Sequence, residues 1–382
     1  MFKLSVFVAA LCASLGAAHP GEHHDQKEVA KQIMARDFWA SHARRSTAKC
    51  ETSKAYQALK QRSVTRRAQA VKDLRQKRGV VSKPRKFRRD LGTLEEYDAV
   101  NHNFTDTGYD QWTPEATIFA ANISCILTPE VTDGPYYVVG ESIRHNVKEA
   151  EYSDGVDLYI EVQYLDVSTC EPVPNVAVDI WNANATGVYS GISESGNYAA
   201  DGYNSTYLRG IQFTDAEGVV SFETIFPGHY EGRATHTHLL AHTGSTILGN
   251  GTLANGTGAV THIGQLFYPE ALRSAVEAVY PYTTNDKPIV SNDEDMWSVV
   301  QAGTDYDPYP QFTYIGETVA DGLLAWIQIG INTTADYTND SYYAVAAYYT
   351  AQGGVGNSAS SFVGGTGSAN GTADGNGTAP PS

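Results

Sequence analysis

The residues with the most capacity for chemistry fall in one short stretch, "FPGHYEGRATHTH", residues Phe226–His238. His236 and His238 stand two apart in a run that alternates like a β-strand, so both imidazoles leave the same face. Side by side they can serve as adjacent ligands of one ion, although an H-x-H pair by itself is more often packed or exposed. Tyr230 lies just upstream behind a Pro–Gly turn, able to fold back toward the same point. Earlier still, "WNANATGVYSG" puts Tyr189 in a glycine-flanked turn directly after a strand. The chain has 24 tyrosines, so no single one carries meaning and the case depends on the set.

The composition of that set limits the ion. Neither histidine has a Cys or a carboxylate as a neighbour, which counts against the usual structural and proteolytic zinc arrangements. Phenolate oxygens are hard, anionic ligands and favour a highly charged ion, so Fe(III) is the natural candidate. Two phenolates and two neutral imidazoles leave Fe(III) one positive charge and room for an anionic chelate such as a catecholate.

The elements that must position these side chains read as β. "VDLYIEVQYLDV" (Val156–Val167), "VAVDIWNA" (Val176–Ala183), "GVVSFETIF" (Gly218–Phe226) and "ATHTHLLAHT" (Ala234–Thr243) alternate apolar and polar residues between Gly, Pro, Asn and Asp clusters. One short helix is expected over Pro269–Val279. The expected fold is mainly β, an antiparallel two-sheet, sandwich-like core with a helical N-terminal arm.

Charge divides the chain. Of 27 basic residues 21 fall in residues 1–90, with only 7 of the 43 acidic ones. The remainder is strongly acidic, which argues against nucleic acid as a partner. Residues 1–18 read as a secretory signal too short to span a bilayer, and no membrane-spanning run follows. Ten N-x-[ST] sequons support a secreted, extracellular, glycosylated protein. Residues 19–90 form a basic helical arm. Its dibasic pairs Arg44–Arg45, Arg66–Arg67, Lys77–Arg78 and Arg88–Arg89 mark it either as a propeptide or as a solvated helical hairpin that stays attached. Residues 91–352 are the β domain, and 353–382 a flexible Gly/Ser/Asn/Thr-rich tail. Cys12 leaves with the signal. Cys125 and Cys170, both in the acidic body, are the expected disulfide, with two buried thiols as the alternative and Cys50 left over.

Four ordered motifs carry a resemblance: "LTPEVTDGPYY" (Leu127–Tyr137), "VDIWNANATGVYSG" (Val178–Gly191), "YLRGIQFTDAEGVVSFETIFPGHYEGRATHTH" (Tyr207–His238) and "HIGQLFY" (His262–Tyr268). Together they resemble the intradiol ring-cleavage dioxygenases, and most closely their secreted, fungal-type branch. The resemblance implies a mononuclear non-haem Fe(III) held by Tyr189, Tyr230, His236 and His238. It makes Arg233 and Gln265 pocket residues beside the substrate, with Tyr230 displaced to help accept a proton. The implied reaction takes a catechol-type substrate and O2 to a cis,cis-muconate-type diacid, cleaving between the hydroxylated carbons. Only "EGRAT" separates Tyr230 from His236, where the intracellular enzymes carry a longer loop, so the choice of catechol stays open, as does the oligomeric state. The main alternative is a secreted, non-catalytic β-sandwich module that binds aromatics or carbohydrate. A zinc hydrolase on His236, His238 and His242 is a weaker one, because His242 would need a third strand position.

Overall fold

In the computed structural model the described residues are 52–80 and 131–358, with 27, 29–34, 36 and 50 upstream, less 195, 255, 303–306 and 341–342. The expected signal segment, the dibasic pairs Arg44–Arg45 and Arg88–Arg89, and Cys125 lie outside them.

The described elements are helix α1 (Lys54–Lys77), strands β1 (Val138–Val139), β2 (Asp157–Asp166), β3 (Ala177–Trp181), β4 (Ser193–Glu194), β5 (Asn197–Tyr198), β6 (Arg209–Phe213), β7 (Val219–Ile225), β8 (His236–Thr243) and β9 (Ala259–Phe267), helices α2 (Glu270–Glu277) and α3 (Met296–Gln301), and strands β10 (Gln311–Tyr314), β11 (Leu323–Ile331), β12 (Ala347–Thr350) and β13 (Gly353–Gly356). Two four-stranded sheets make the body, in the orders β10-β11-β2-β7 and β6-β3-β8-β9. Their facing side chains interdigitate in one core: Leu158, Ile160 and Val162 of β2, Val178 and Ile180 of β3, Leu239 and Ala241 of β8, Ile327 and Ile329 of β11. Because side chains alternate along a strand, the same register turns Asp179, Trp181, His236, His238, Leu240 and His242 to the outer face of the second sheet. That alternation creates the site layer.

The mainly β, two-sheet expectation holds, with one difference in pairing. The second sheet is antiparallel throughout, but β2 and β11 run parallel over nine residue pairs. Parallel neighbours need a long connection and cover on both faces. The chain between β2 and β11 supplies the first, and α1 the second. Every residue of β11 is buried, because Val64, Val71 and Leu74 of α1 pack on Leu324, Trp326 and Ile315 from the outside.

Helix α1 is therefore a layer of the fold and not a solvated hairpin. Ser53 caps it by accepting from the Tyr56 amide, and Arg75 and Lys77 in the last turn suit the negative end of its dipole. Two of the arm's basic pairs are engaged. Arg66 and Arg67 both donate to the buried Glu161 carboxylate, at 3.0 and 2.8 Å through their Nε atoms. Arg78 donates to the Asp321 carbonyl and the Asp157 carboxylate, each at 2.6 Å.

Two expectations are corrected. The disulfide joins Cys50 to Cys170, not Cys125 to Cys170. The expected pairing treated the arm as separate from the body. With α1 docked, Cys50 just ahead of the helix meets Cys170 in a buried cluster with Tyr56, Leu59 and Leu165. The expected tail also begins too early, since Gly353–Gly356 pairs antiparallel with β12. A ladder needs only backbone, and Gly354 lies so close to the Tyr203 carbonyl that a Cβ would meet it at 1.7 Å.

Candidate metal centre

The site is assembled on the outer face of the second sheet from β8, the turn after β3 and the loop between β7 and β8. On β8, His238 lies opposite Trp181 on one side and Gln265 on the other. The Trp181 indole stacks on the His238 ring, with centroids 4.6 Å apart and planes 5° from parallel. The His236 Nδ1–H donates to the Ala234 carbonyl at 2.6 Å, which turns Nε2 inward. The two Nε2 atoms converge to 2.9 Å. A first-row ion holding two imidazoles at right angles, each at about 2.1 Å, sets their nitrogens about 3 Å apart.

Tyr189 is delivered by the turn after β3. Asn184 Oδ1 accepts from the Thr186 and Val188 amides to shape that turn. Gly187 lets it press on the second tyrosine segment: its φ is +72°, and a Cβ there would lie 2.0 Å from the His229 carbonyl oxygen. Asn197 then holds the Tyr189 backbone from both sides, accepting from its amide at 2.7 Å and donating to its carbonyl at 2.8 Å. Arg209 donates to the Ser190 and Tyr136 carbonyls and to Glu141. On the other segment, His229 is fixed between the Glu277 carboxylate and the Lys287 carbonyl, which anchors the residue before Tyr230.

Tyr189 and Tyr230 meet edge to face with centroids 5.2 Å apart. Tyr189 lies 6.0 Å from His238, and Tyr230 5.6 Å from His236. Both phenol oxygens are buried and lack any hydrogen-bond partner, as do Arg233 Nη1 and His238 Nδ1. Buried polar atoms are nearly always paired, so such a group of orphans needs a reason. Two orphaned phenol oxygens beside two convergent imidazole nitrogens fit the donor set of a ferric ion. Among the described residues no three His, Cys, Asp or Glu side chains gather to hold a metal, so a zinc site on His236, His238 and His242 is not formed. His242 instead meets the Tyr137 hydroxyl at 3.3 Å.

The electrostatics agree with that donor set. Burial first, then Arg233, pushes His236 down to about 3. Burial, then the neighbouring His236, holds His238 well below its ordinary value. Both rings are therefore neutral, the form that binds metal. Burial raises Tyr230 to about 12 against the pull of Arg233, and raises Tyr189 strongly. Both phenols keep their protons until a cation is at hand to displace them.

All six expected site residues are brought together. Arg233 Nη2 donates to Gln265 Oε1 at 2.6 Å, and Gln265 Nε2 donates to the Thr132 carbonyl. Both ends of the Gln265 amide are thus engaged with protein, which seats it behind Arg233. Asp295, Trp181 and Tyr136 were not anticipated. Tyr136 packs against Tyr189, centroids 4.8 Å apart and planes tilted by 31°, and was legible only as part of "GPYY". Asp295 carried no signal in the sequence, where no helix is expected after it and nothing places it beside Arg233.

Residues 132–246 match the family model described as Dioxygenase. A catechol 1,2-dioxygenase from Acinetobacter baylyi is 33% identical over 108 residues, 27% of this chain and 32% of that protein. The chain thus spans about a third of the length of that curated relative. Among solved structures, an intradiol ring-cleavage dioxygenase from Tetranychus urticae is 29% identical over 56% of this chain and 97% of its own, with a TM-score of 0.44. The dioxygenase domain of a dioxygenase–carbohydrate-binding fusion from Streptomyces sp. SirexAA-E is 22% identical over 55% and 99%, with a TM-score of 0.35. Over residues 132–246, which contain Tyr189, Tyr230, Arg233, His236 and His238, the resemblance to the intradiol ring-cleavage dioxygenases holds.

Proposed function

We propose that this chain is a secreted intradiol ring-cleavage dioxygenase, with Tyr189, Tyr230, His236 and His238 holding one non-haem ferric ion. The observation that carries this reading is the convergence of two partnerless buried phenol oxygens and two neutral imidazole nitrogens. Bound there, ferric iron would supply what the side chains lack, drawing electron density from a chelated catecholate so that its ring reacts with O2. The side chains do the rest. His236 is oriented by the Ala234 carbonyl, and His238 by its stack on Trp181. Tyr136, Trp181 and the two tyrosine rings wall the pocket and exclude water. The Tyr230 oxygen is a place where a substrate proton can be held, its affinity moderated by Arg233. Arg233 presents Nη1 as a buried donor for negative charge developing on the substrate, an interaction that gains strength away from water.

Secretion is supported by the apolar leader and by the disulfide, a bond of oxidising compartments. The substrate class is a catechol-type ring, and catechol plus O2 balances to the muconate-type diacid with no added reductant. The test is a visible spectrum with metal analysis, followed by incubation with catechol and labelled O2. We expect one iron per chain, a tyrosinate-to-iron colour perturbed by catechol, and both oxygen atoms in the diacid. A colourless, iron-free protein from iron-replete expression would point to the binding module instead. A muconic semialdehyde product would overturn the cleavage position.

A further inference from the structure

Asp295 belongs to neither the matched segment nor the ligand set, yet its buried carboxylate gathers contacts from Arg233, Ala234 and the start of α3. It precedes α3 and accepts through Oδ1 from the Trp297 and Ser298 amides, at 2.9 and 3.2 Å. Oδ2 accepts from Arg233 Nε at 2.7 Å and from the Ala234 amide at 2.8 Å, while Oδ1 also takes Arg233 Nη2 at 3.2 Å. Asp295 and Arg233 are 2% and 1% exposed, so this ion pair is shielded from solvent. Gln265 Oε1 holds Arg233 Nη2 from a second direction. Of the three guanidinium nitrogens only Nη1 is then left without a partner. The second contact extends the reach of the carboxylate. Ala234 gives its amide to Asp295 and its carbonyl to the His236 Nδ1–H, so one peptide segment ties the carboxylate to a ligand ring.

We propose that Asp295 is the positioning residue of the metal centre, fixing Arg233 so that Nη1 faces the substrate and fixing the His236 ring through Ala234. The proposal deepens the ferric dioxygenase reading and rests on it. A helix cap alone explains the two α3 amides but not the convergence of Arg233 and Ala234 on the same carboxylate. Partners that orient a ligand from behind typically contribute about 10- to 100-fold to metal affinity or activity.

The experiment compares Asp295→Asn with Val300→Ala, which opens a cavity in the same helix without touching Arg233. Asn keeps an oxygen for the α3 amides but turns an NH2 toward Arg233 Nε and the Ala234 amide. Three quantities are measured on full-length protein: iron dissociation constant, kcat and KM for catechol, and thermal midpoint without iron. We expect Asp295→Asn to weaken iron binding and lower kcat, each by about 10- to 100-fold, with KM changing much less. Val300→Ala should lower the thermal midpoint and leave iron affinity and kcat at wild-type values. Combining Asp295→Asn with Arg233→Ala should cost little more kcat than Arg233→Ala alone. The proposal falls if Asp295→Asn behaves like Val300→Ala, or if its effect on kcat multiplies fully with that of Arg233→Ala. Wild-type protein that binds iron but cleaves no catechol defeats the proposed reaction, while the iron constants still decide the role of Asp295.

Discussion

The seam between α1 and the first sheet and the pocket on the outer face of the second sheet both bury polar side chains, but they pair them differently. In the seam Tyr56 donates to Gln328, Gln328 and Ser63 donate to Gln163, and Gln163 donates to the Glu217 carbonyl. Arg66 and Arg67 share Glu161. The terminal nitrogens of Arg67 lack hydrogen bonds, but the guanidinium lies over the Trp326 ring, 5.8 Å from its centroid. The seam is closed on itself. In the pocket the scaffold is equally well tied, through Asn197, Arg209, His229 and Asp295, but the atoms facing inward are not. Each orphaned buried polar group costs about 1–3 kcal/mol. A fold tolerates several together where a ligand will complete them. What sets the pocket apart is that its unpaired phenol oxygens, Arg233 Nη1 and His238 Nδ1 lie together around two convergent imidazoles, whereas the unpaired Arg67 nitrogens of the seam are covered by an aromatic face.

The largest test of that contrast is Tyr189→Phe. It removes a buried oxygen with no protein partner, so stability without iron should not fall and should rise by up to about 1–3 kcal/mol. Ferric colour and ring cleavage should fall well beyond the ~100-fold typical of a residue behind the ligands. A matched fall in iron-free stability and in colour would break the comparison.

Glu161→Gln probes the seam. It leaves the Arg67 charge buried without its counter-ion and should cost about 3–5 kcal/mol in denaturant titration. The colour and kcat of the folded fraction should not move.

The His242 prediction concerns pH. Burial holds this ring at about 4, while an unfolded histidine titrates near 6.5. The fold therefore binds fewer protons than the unfolded chain between those values. Stability should be lost as pH falls from about 6.5 to about 4, by roughly 1.4 kcal/mol per unit at most. His242→Gln should flatten that slope in thermal melts of iron-free protein.

The smallest effect expected is that of Tyr56→Phe, which leaves Gln328 Oε1 short of a donor. It should cost about 1 kcal/mol and leave the spectrum unchanged. Any loss of colour would mean that the seam and the pocket are one network.

What was legible in the sequence was local. Strands β2, β3, β7 and β8 and helix α2 fall inside the stretches whose alternation or composition marked them. His236 and His238 share a face because strand geometry requires it, and the tyrosines came with their turns. What was not legible depends on contacts between distant segments. No local pattern says that a basic, helical stretch will cover a sheet, so the choice of Cys125 over Cys50 followed from a wrong picture of the arm. The parallel match of β2 with β11 has the same origin. Asp295 lies 62 residues from Arg233, and only the folded chain brings a helix cap to a guanidinium.

The bond between Cys50 and Cys170 joins positions 120 residues apart and encloses the whole stretch between α1 and β1. A protease that cut this stretch would not release the helix. It would produce a two-chain molecule, a light chain carrying α1 and a heavy chain carrying both sheets, migrating as one species until a reductant separates them. A maturation that cuts only after α1 must therefore add reduction of the disulfide to discard the helix, and must expose the apolar face of Leu324 and Trp326 when it does.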